Sequence, residues 1–301
     1  MPASIADFLT PEATRKLASL ALRSRFAVEG SRSGAHASPH KGASVEFADH
    51  RQYVKGDNLR SLDWKVFGRT DRHYVKQYRE ETSLRVHLVL DGSKSMTYQS
   101  PSAKFSKYGY ACRLAAALGY LVSRQQDSLG LTIYDREIRR EIPSRNGPRH
   151  LQVVLEGLLQ HRPEMETNTG QALHALAEHL SRRGLIILMS DLFDDPNAIF
   201  RAVAHFRKKL HDVILLQILD PVEIDLSLDH FAQFVDLETG EKLEVDPIQT
   251  RQAYREELQA FIDQARERCA GLQVDYRLVS TGESFEDFLH QYLAERSLLA
   301  R

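Results

Sequence analysis

The stretch RVHLVLDGSKSM, Arg85 to Met96, decides how the rest of the chain is read. An apolar run, VHLVL, ends on Asp91 and gives way to glycine and then to two alternating hydroxyls, Ser93 and Ser95. The run does not alternate with polar residues, as expected of a strand covered on both faces in a parallel sheet. The turn after it admits two readings. It is a strand-to-helix turn with a serine as helix cap, or a set of oxygen ligands offered to a metal ion.

Further apolar runs of the same kind follow: LGLTIY at 129–134, LIILM at 185–189, VILLQIL at 213–219 and LQVDYRLV at 272–279. Between VHLVL and LGLTIY, Phe105, Tyr108, Cys112, Ala115, Leu118 and Val122 recur at three- and four-residue spacing, which predicts a helix over 104–124. Further helices are expected near 150–160, 171–182, 197–209, 249–269 and 284–297. The acidic segment 221–246 interrupts the alternation, and its halves FAQFVDL and EKLEVD flank the turn residues ETG as in an inserted hairpin. The fold class expected is α/β, a mostly parallel central sheet flanked by helices.

Upstream, residues 45–82 have a different texture. VEFADHRQYV and HYVKQYREE read as strands, and between them Asn58 caps a short helix that runs through Trp64 to Phe67 and is stopped by Gly68. Arg51, Asp57, Arg60, Asp63 and Arg69 mix signs around the single tryptophan, so Trp64 is expected to be buried among ion pairs where this module meets the main domain. The division expected is 1–84, an N-terminal helix with a small β-rich module, and 85–301, the main domain carrying the insertion at 221–246.

Composition bounds the function. With 42% hydrophobic and 27% charged residues the chain is an ordinary globular protein. The opening residues lack a basic segment followed by an apolar core, and LIILM is too short to span a bilayer, so a cytoplasmic location is expected. Cys112 and Cys269 lie far apart and read as buried thiols. The net charge of −1 hides an asymmetry: residues 15–85 hold 15 Lys/Arg against 8 Asp/Glu, whereas 220–246 holds 9 acids against Lys242 alone. Such a basic segment can serve nucleic acid, which ranks third among the functions considered because no nucleic-acid-binding module is recognisable.

In an open parallel sheet, ligands bind beyond the carboxyl ends of the strands where the strand order reverses. Asp91 and Asp191, the latter in LIILMSDLFDD, both occupy such ends, beside Ser93, Ser95 and the hydroxyl-rich loop ETNTG with Thr167 and Thr169. Ligands that are all oxygen, with few charges and no sulfur or imidazole, suit a hard cation such as Mg²⁺. So few carboxylates leave the cation electron-poor and receptive to an outside carboxylate, which favours recognition over catalysis.

DGSKS, ETNTGQAL and LMSD together resemble the three loops of the metal-ion-dependent adhesion site of von Willebrand factor A-type domains, in their usual chain order. The resemblance implies that Asp91, Ser93, Ser95, Thr167 and Asp191 bind Mg²⁺ or Mn²⁺, with Asp191 acting through water. VEFADHRQYVKGDNLRSLDWKVFGRTDRHYVKQYREE followed by LVLDGSKSM is similar to the signature of the DUF58 family, whose members are often encoded beside MoxR-type AAA ATPases. An A-type fold and a metal-dependent protein interaction, as adaptor or cofactor of such an ATPase, are what this implies.

The enzyme alternative is a metal-assisted hydrolase or phosphatase-like protein using Asp91 and Asp191. A haloacid-dehalogenase pattern expects a second Asp where this chain has Ser93, and neither a GxSxG elbow nor a GxxxxGK[ST] loop occurs. The chain is expected not to be an enzyme.

Overall fold

The computed structural model describes residues 3–18, 20–24, 45–54, 62–80, 84–165, 168–228, 231–237 and 240–299. The chain divides into two units, Met1–Phe26 with Leu84–Arg301, and Ala27–Ser83. In chain order, α1 (Pro11–Leu17) belongs to the larger unit, while β1 (Val45–Gln52), α2 (Trp64–Thr70) and β2 (Tyr74–Glu80) form the smaller one. The larger unit continues with β3 (Arg85–Asp91), α3 (Lys107–Arg124), β4 (Ser128–Tyr134), β5 (Ile138–Arg145), α4 (Pro148–Gln160), α5 (Thr169–His179) and β6 (Leu185–Ser190). It ends with α6 (Pro196–Lys208), β7 (Asp212–Leu219), α7 (Pro221–Asp225), β8 (Ala232–Val235), β9 (Lys242–Val245), α8 (Pro247–Gly271), β10 (Asp275–Ser280) and α9 (Phe285–Leu299).

The central sheet has the order β10-β7-β6-β3-β4-β5, parallel except for the antiparallel edge pair β4–β5. Successive residues of β3 serve opposite faces. Val86, Leu88 and Leu90 join a core with α1, α3, α4 and α9, and Val89 joins a second core under α5, α6 and α8. Both faces are thus covered, an arrangement consistent with the von Willebrand factor A-like fold expected. From β3 the chain winds outward to β4 and β5, then returns to β6 on the other flank of β3, so the strand order reverses between β3 and β6.

Local chemistry fixes the helix starts. The helices α1, α4, α6, α7 and α8 open on proline, whose missing N–H costs nothing in the first turn. Thr10, Asp195, Asp220 and Asp246 precede four of these prolines and accept hydrogen bonds from first-turn amides.

Several expectations need correction. The N-terminal helix does not group with the residues up to 84: Phe8, Leu9, Leu17 and Leu22 are buried in the main core, and the Gln125 side chain bonds both the N–H and the carbonyl of Leu22 at 2.9 and 3.0 Å. Strand β5 was not anticipated, because at a sheet edge only Ile142 of its residues is buried and its apolar signal is weak. Strand β10 starts at Asp275, since Leu272 closes α8 and Gln273 turns with φ of 56°. The acidic insertion begins with α7 before the β8–β9 hairpin.

In the smaller unit, β1 and β2 pair antiparallel from Val45↔Glu80 to Gln52↔Tyr74 with an irregularity at Phe47/Asp49. Its helix is capped by Asp63, which accepts from Lys65 and Val66 N–H, and not by Asn58; it ends at Asp71 in a left-handed conformation rather than at Gly68. Asp57 and Arg60 lie outside the described residues. Trp64 is not buried: it is 63% exposed, and its indole meets Phe67 edge-on with ring centroids 6.1 Å apart. Trp64→Ala should therefore cost under about 1 kcal/mol rather than the several typical of a core aromatic, and native tryptophan emission should be red-shifted and readily quenched; blue-shifted emission would contradict this placement.

A buried histidine sets a pH limit on the sheet. His87 in β3 is hydrogen-bonded through Nε2 to Thr132 Oγ1 at 2.7 Å, and burial, aided by His211, lowers its pKa from 6.5 to about 4. Between those values the unfolded chain binds the proton that the folded chain refuses, so stability is full above pH 6.5 and falls as the pH drops towards 4, by up to about 3 kcal/mol. Urea unfolding across this range should show a slope that is reduced in His87→Gln; an identical slope would assign the effect elsewhere.

Candidate functional site

The reversal point between β3 and β6 brings the two aspartates together. Asp91 ends β3 and Ser190 ends β6, and the Ser190 hydroxyl donates to Asp91 Oδ2 at 2.7 Å. The Ser93 N–H donates to Asp91 Oδ1 at 3.0 Å, and the Tyr134 hydroxyl lies 3.5 Å from Oδ2. None of these donors is charged. Burial, and after it the Asp191 charge, raise the Asp91 pKa to about 7 against the opposing hydrogen bonds of Ser190 and Ser93. A positive group placed beside it would favour its charged form.

The turn after β3 supplies the hydroxyls. Ser93 Oγ and Ser95 Oγ stand 3.0 Å apart, Ser93 fully buried and Ser95 partly so. Gly92 N–H donates to the Tyr134 carbonyl at 2.6 Å, and the chain passes so close to its neighbours that a Cβ at this position would stand 2.3 Å from His161 Nε2 and 2.8 Å from Ile133 Cγ2. Lys94 N–H donates to the Met165 carbonyl at 2.8 Å, which holds the loop before α5 against the same turn.

Asp191 has a different environment. Its Oδ2 accepts from Lys107 Nζ at 2.8 Å, and the same ammonium donates to Glu223 Oε1 at 2.6 Å. Lys107 is 1% exposed. Burial acts to lower its pKa, yet the two carboxylates more than offset this and hold it above its usual value. The segment after Asp191 is strained: Leu192 adopts φ of 64°, a left-handed conformation unusual for a branched apolar side chain. Its N–H donates to Ser190 Oγ at 3.0 Å and its side chain is buried in the second core, which together hold that conformation.

Of the residues expected to form one site, Asp91, Ser93 and Ser95 are joined by direct hydrogen bonds, and Asp191 acts on Asp91 through its charge. Thr167 lies outside the described residues. Thr169 is buried as the first residue of α5, and its N–H donates to Asp194 Oδ2 at 2.7 Å.

A family model described as "Protein of unknown function DUF58" matches residues 49–268. The chain belongs to that family. It is 27% identical over 248 residues to the uncharacterized proteins Rv1480 of Mycobacterium tuberculosis and Mb1516 of Mycobacterium bovis, a span covering 80% of this chain and 76% of each relative. Among solved structures it is similar to BatB from Bacteroides thetaiotaomicron, at 16% identity with a TM-score of 0.49, covering 72% of this chain and 100% of the other. It is also similar to an aerotolerance-related membrane protein from Bacteroides fragilis, at 16% identity with a TM-score of 0.48, covering 71% and 100%. Among the described residues of this DUF58 chain, no helix is long and apolar enough to cross a membrane.

Sequence reasoning missed Lys107, Glu223, Ser190 and Tyr134. Lys107 carried a signal that could have been used, since a cation in the first turn of a helix opposes the helix dipole and calls for a compensating anion. Glu223 was legible only as the third residue of a capping box, where its carboxylate also accepts from Asp220 N–H at 2.8 Å. Lys107→Met should destabilise the DUF58 chain by about 3–5 kcal/mol in urea unfolding, because Asp191 and Glu223 are left buried without their cation; a loss below about 1 kcal/mol would mean that water replaces the ammonium.

Proposed function

We propose that this protein is a metal-dependent interaction module, in which Asp91, Ser93, Ser95 and Thr167 hold a divalent cation such as Mg²⁺ or Mn²⁺ and Asp191 acts through water. One observation carries the reading: at the reversal point of the sheet, a buried carboxylate with only neutral hydrogen-bond donors stands beside two hydroxyls 3.0 Å apart. The donor set fits a hard cation, being all oxygen with one direct carboxylate. A cation so held supplies an electrophilic position for an external carboxylate.

The chain's own residues divide the work. Asp91 carries the negative charge, Ser190 and Ser93 N–H orient it, and Gly92 permits the turn that aims both serine hydroxyls. Lys107 neutralises Asp191 and so keeps it from being a strong direct ligand. The same ion pair weighs against the hydrolase alternative, since an Asp191 bonded to an ammonium is poorly placed to take a proton. The partner in this reading is a protein that presents Asp or Glu, a MoxR-type AAA ATPase or its client, as the sequence resemblance implies; any ATP hydrolysis belongs to the partner.

Calorimetric titration with Mg²⁺ should show one site that Asp91→Ala removes, and equal binding by both proteins would refute the metal assignment. Thr167→Ala and EDTA should each weaken capture of the partner ATPase while circular dichroism stays unchanged. Should neither alter capture, docking does not run through the metal.

A further inference from the structure

We propose that His174 and Glu178 of α5 and His205 of α6 form a second metal site, one that takes a zinc-class divalent cation. Ligand atoms of the three side chains all lie within 4.8 Å of one another. His174 Nδ1 and His205 Nδ1 are 3.2 Å apart, and His205 Nε2 is 3.2 Å from Glu178 Oε1. With Zn–N bonds of about 2.0–2.1 Å at tetrahedral angles, two ligating nitrogens stand roughly 3.3 Å apart. The imidazole pair has that spacing through His205 Nδ1, whereas Glu178 Oε1 meets the opposite ring nitrogen, Nε2, so a small turn of the His205 ring or of the carboxylate brings all three to one ion.

The backbone explains why these residues meet. His174 and Glu178 are four apart on α5 and share one face. Helix α6 comes close because position 170 is glycine: a Cβ there would stand 2.4 Å from Ala198 Cβ. The ligands thus stand on two packed helices, whose spacing is fixed by backbone contact rather than by a loop.

The contacts of the carboxylate support the same reading. Lys209 Nζ donates to Glu178 Oε2 at 3.1 Å and to the Ala177 carbonyl at 2.7 Å, which anchors the far oxygen of the carboxylate and leaves Oε1 facing His205. That is the arrangement by which outer partners orient a ligating carboxylate. The cluster lines an open recess of about 620 Å³ with Lys209, Arg201 and Lys208, from which water or an anionic group could complete the coordination. Two nitrogens and one carboxylate select zinc, cobalt or nickel over magnesium, which separates this site from the oxygen-only set at Asp91.

The test uses the full chain, stripped with chelator and then titrated with Zn²⁺ in excess Mg²⁺. One equivalent should bind, Co²⁺ in its place should give the visible absorption of a four-coordinate ion, and Asp91→Ala should bind as the parent does. His174→Ala and Glu178→Gln change exposed side chains, so the fold should persist by circular dichroism while zinc affinity falls at least about 100-fold, more than loss of an outer partner costs. The assignment is overturned by absent uptake in the parent chain, by parent-like zinc affinity in His174→Ala, or by uptake that disappears with Asp91.

Discussion

A buried ammonium needs anions close by, because removing it from water costs several kcal/mol that only strong pairing recovers. Lys107 meets this need with Asp191 and Glu223, and in doing so it joins three stretches that are distant in sequence: the start of α3, the loop after β6 and the helical turn α7. Asp220, at the head of that turn, accepts from Ser100 N–H at 2.9 Å, which ties in the segment between Met96 and α3 as well. The carboxyl end of the sheet is thereby closed by polar bonds more than by apolar contact. Two carboxylates share one cation here while Asp91 has none among its bonded partners, so the local balance is negative where the hydroxyls face.

The strands buried on both faces were the legible part of the fold. Residues of β3, β4, β6 and β7 are almost all buried, and an uninterrupted apolar run records that directly. Edge positions carry less information: β5 exposes every second residue to solvent and reads as an ordinary polar segment. Trp64 misled for a related reason, since a lone indole suggests a core, and its neighbours gave no sign that it stays at the surface beside Phe67.

At the site, the sequence showed residues that end strands or repeat in a short motif, and it hid those that arrive from elsewhere. Asp91, Ser93 and Ser95 lie within five positions, so a turn alone brings them together. Lys107 and Glu223 are 116 residues apart, and only the three-dimensional path of the chain puts them 2.6 Å from each other. The histidine pair was hidden in the same way: His174 and His205 sit on different helices, 31 residues apart, with spacing that matches no short metal motif.

Arg296 in α9 is 1% exposed and reaches the Arg23 carbonyl at 2.8 Å, across 273 positions of chain, while its guanidinium also bonds Asp212 and Asp275 at 2.6 Å each. These bonds impose an order on biosynthesis. The segment carrying Leu9, Leu17 and Leu22 is made well before α9, yet α9 holds the bond that seals it against the sheet. Until α9 emerges, that apolar segment is without its final cover and open to wrong apolar contacts.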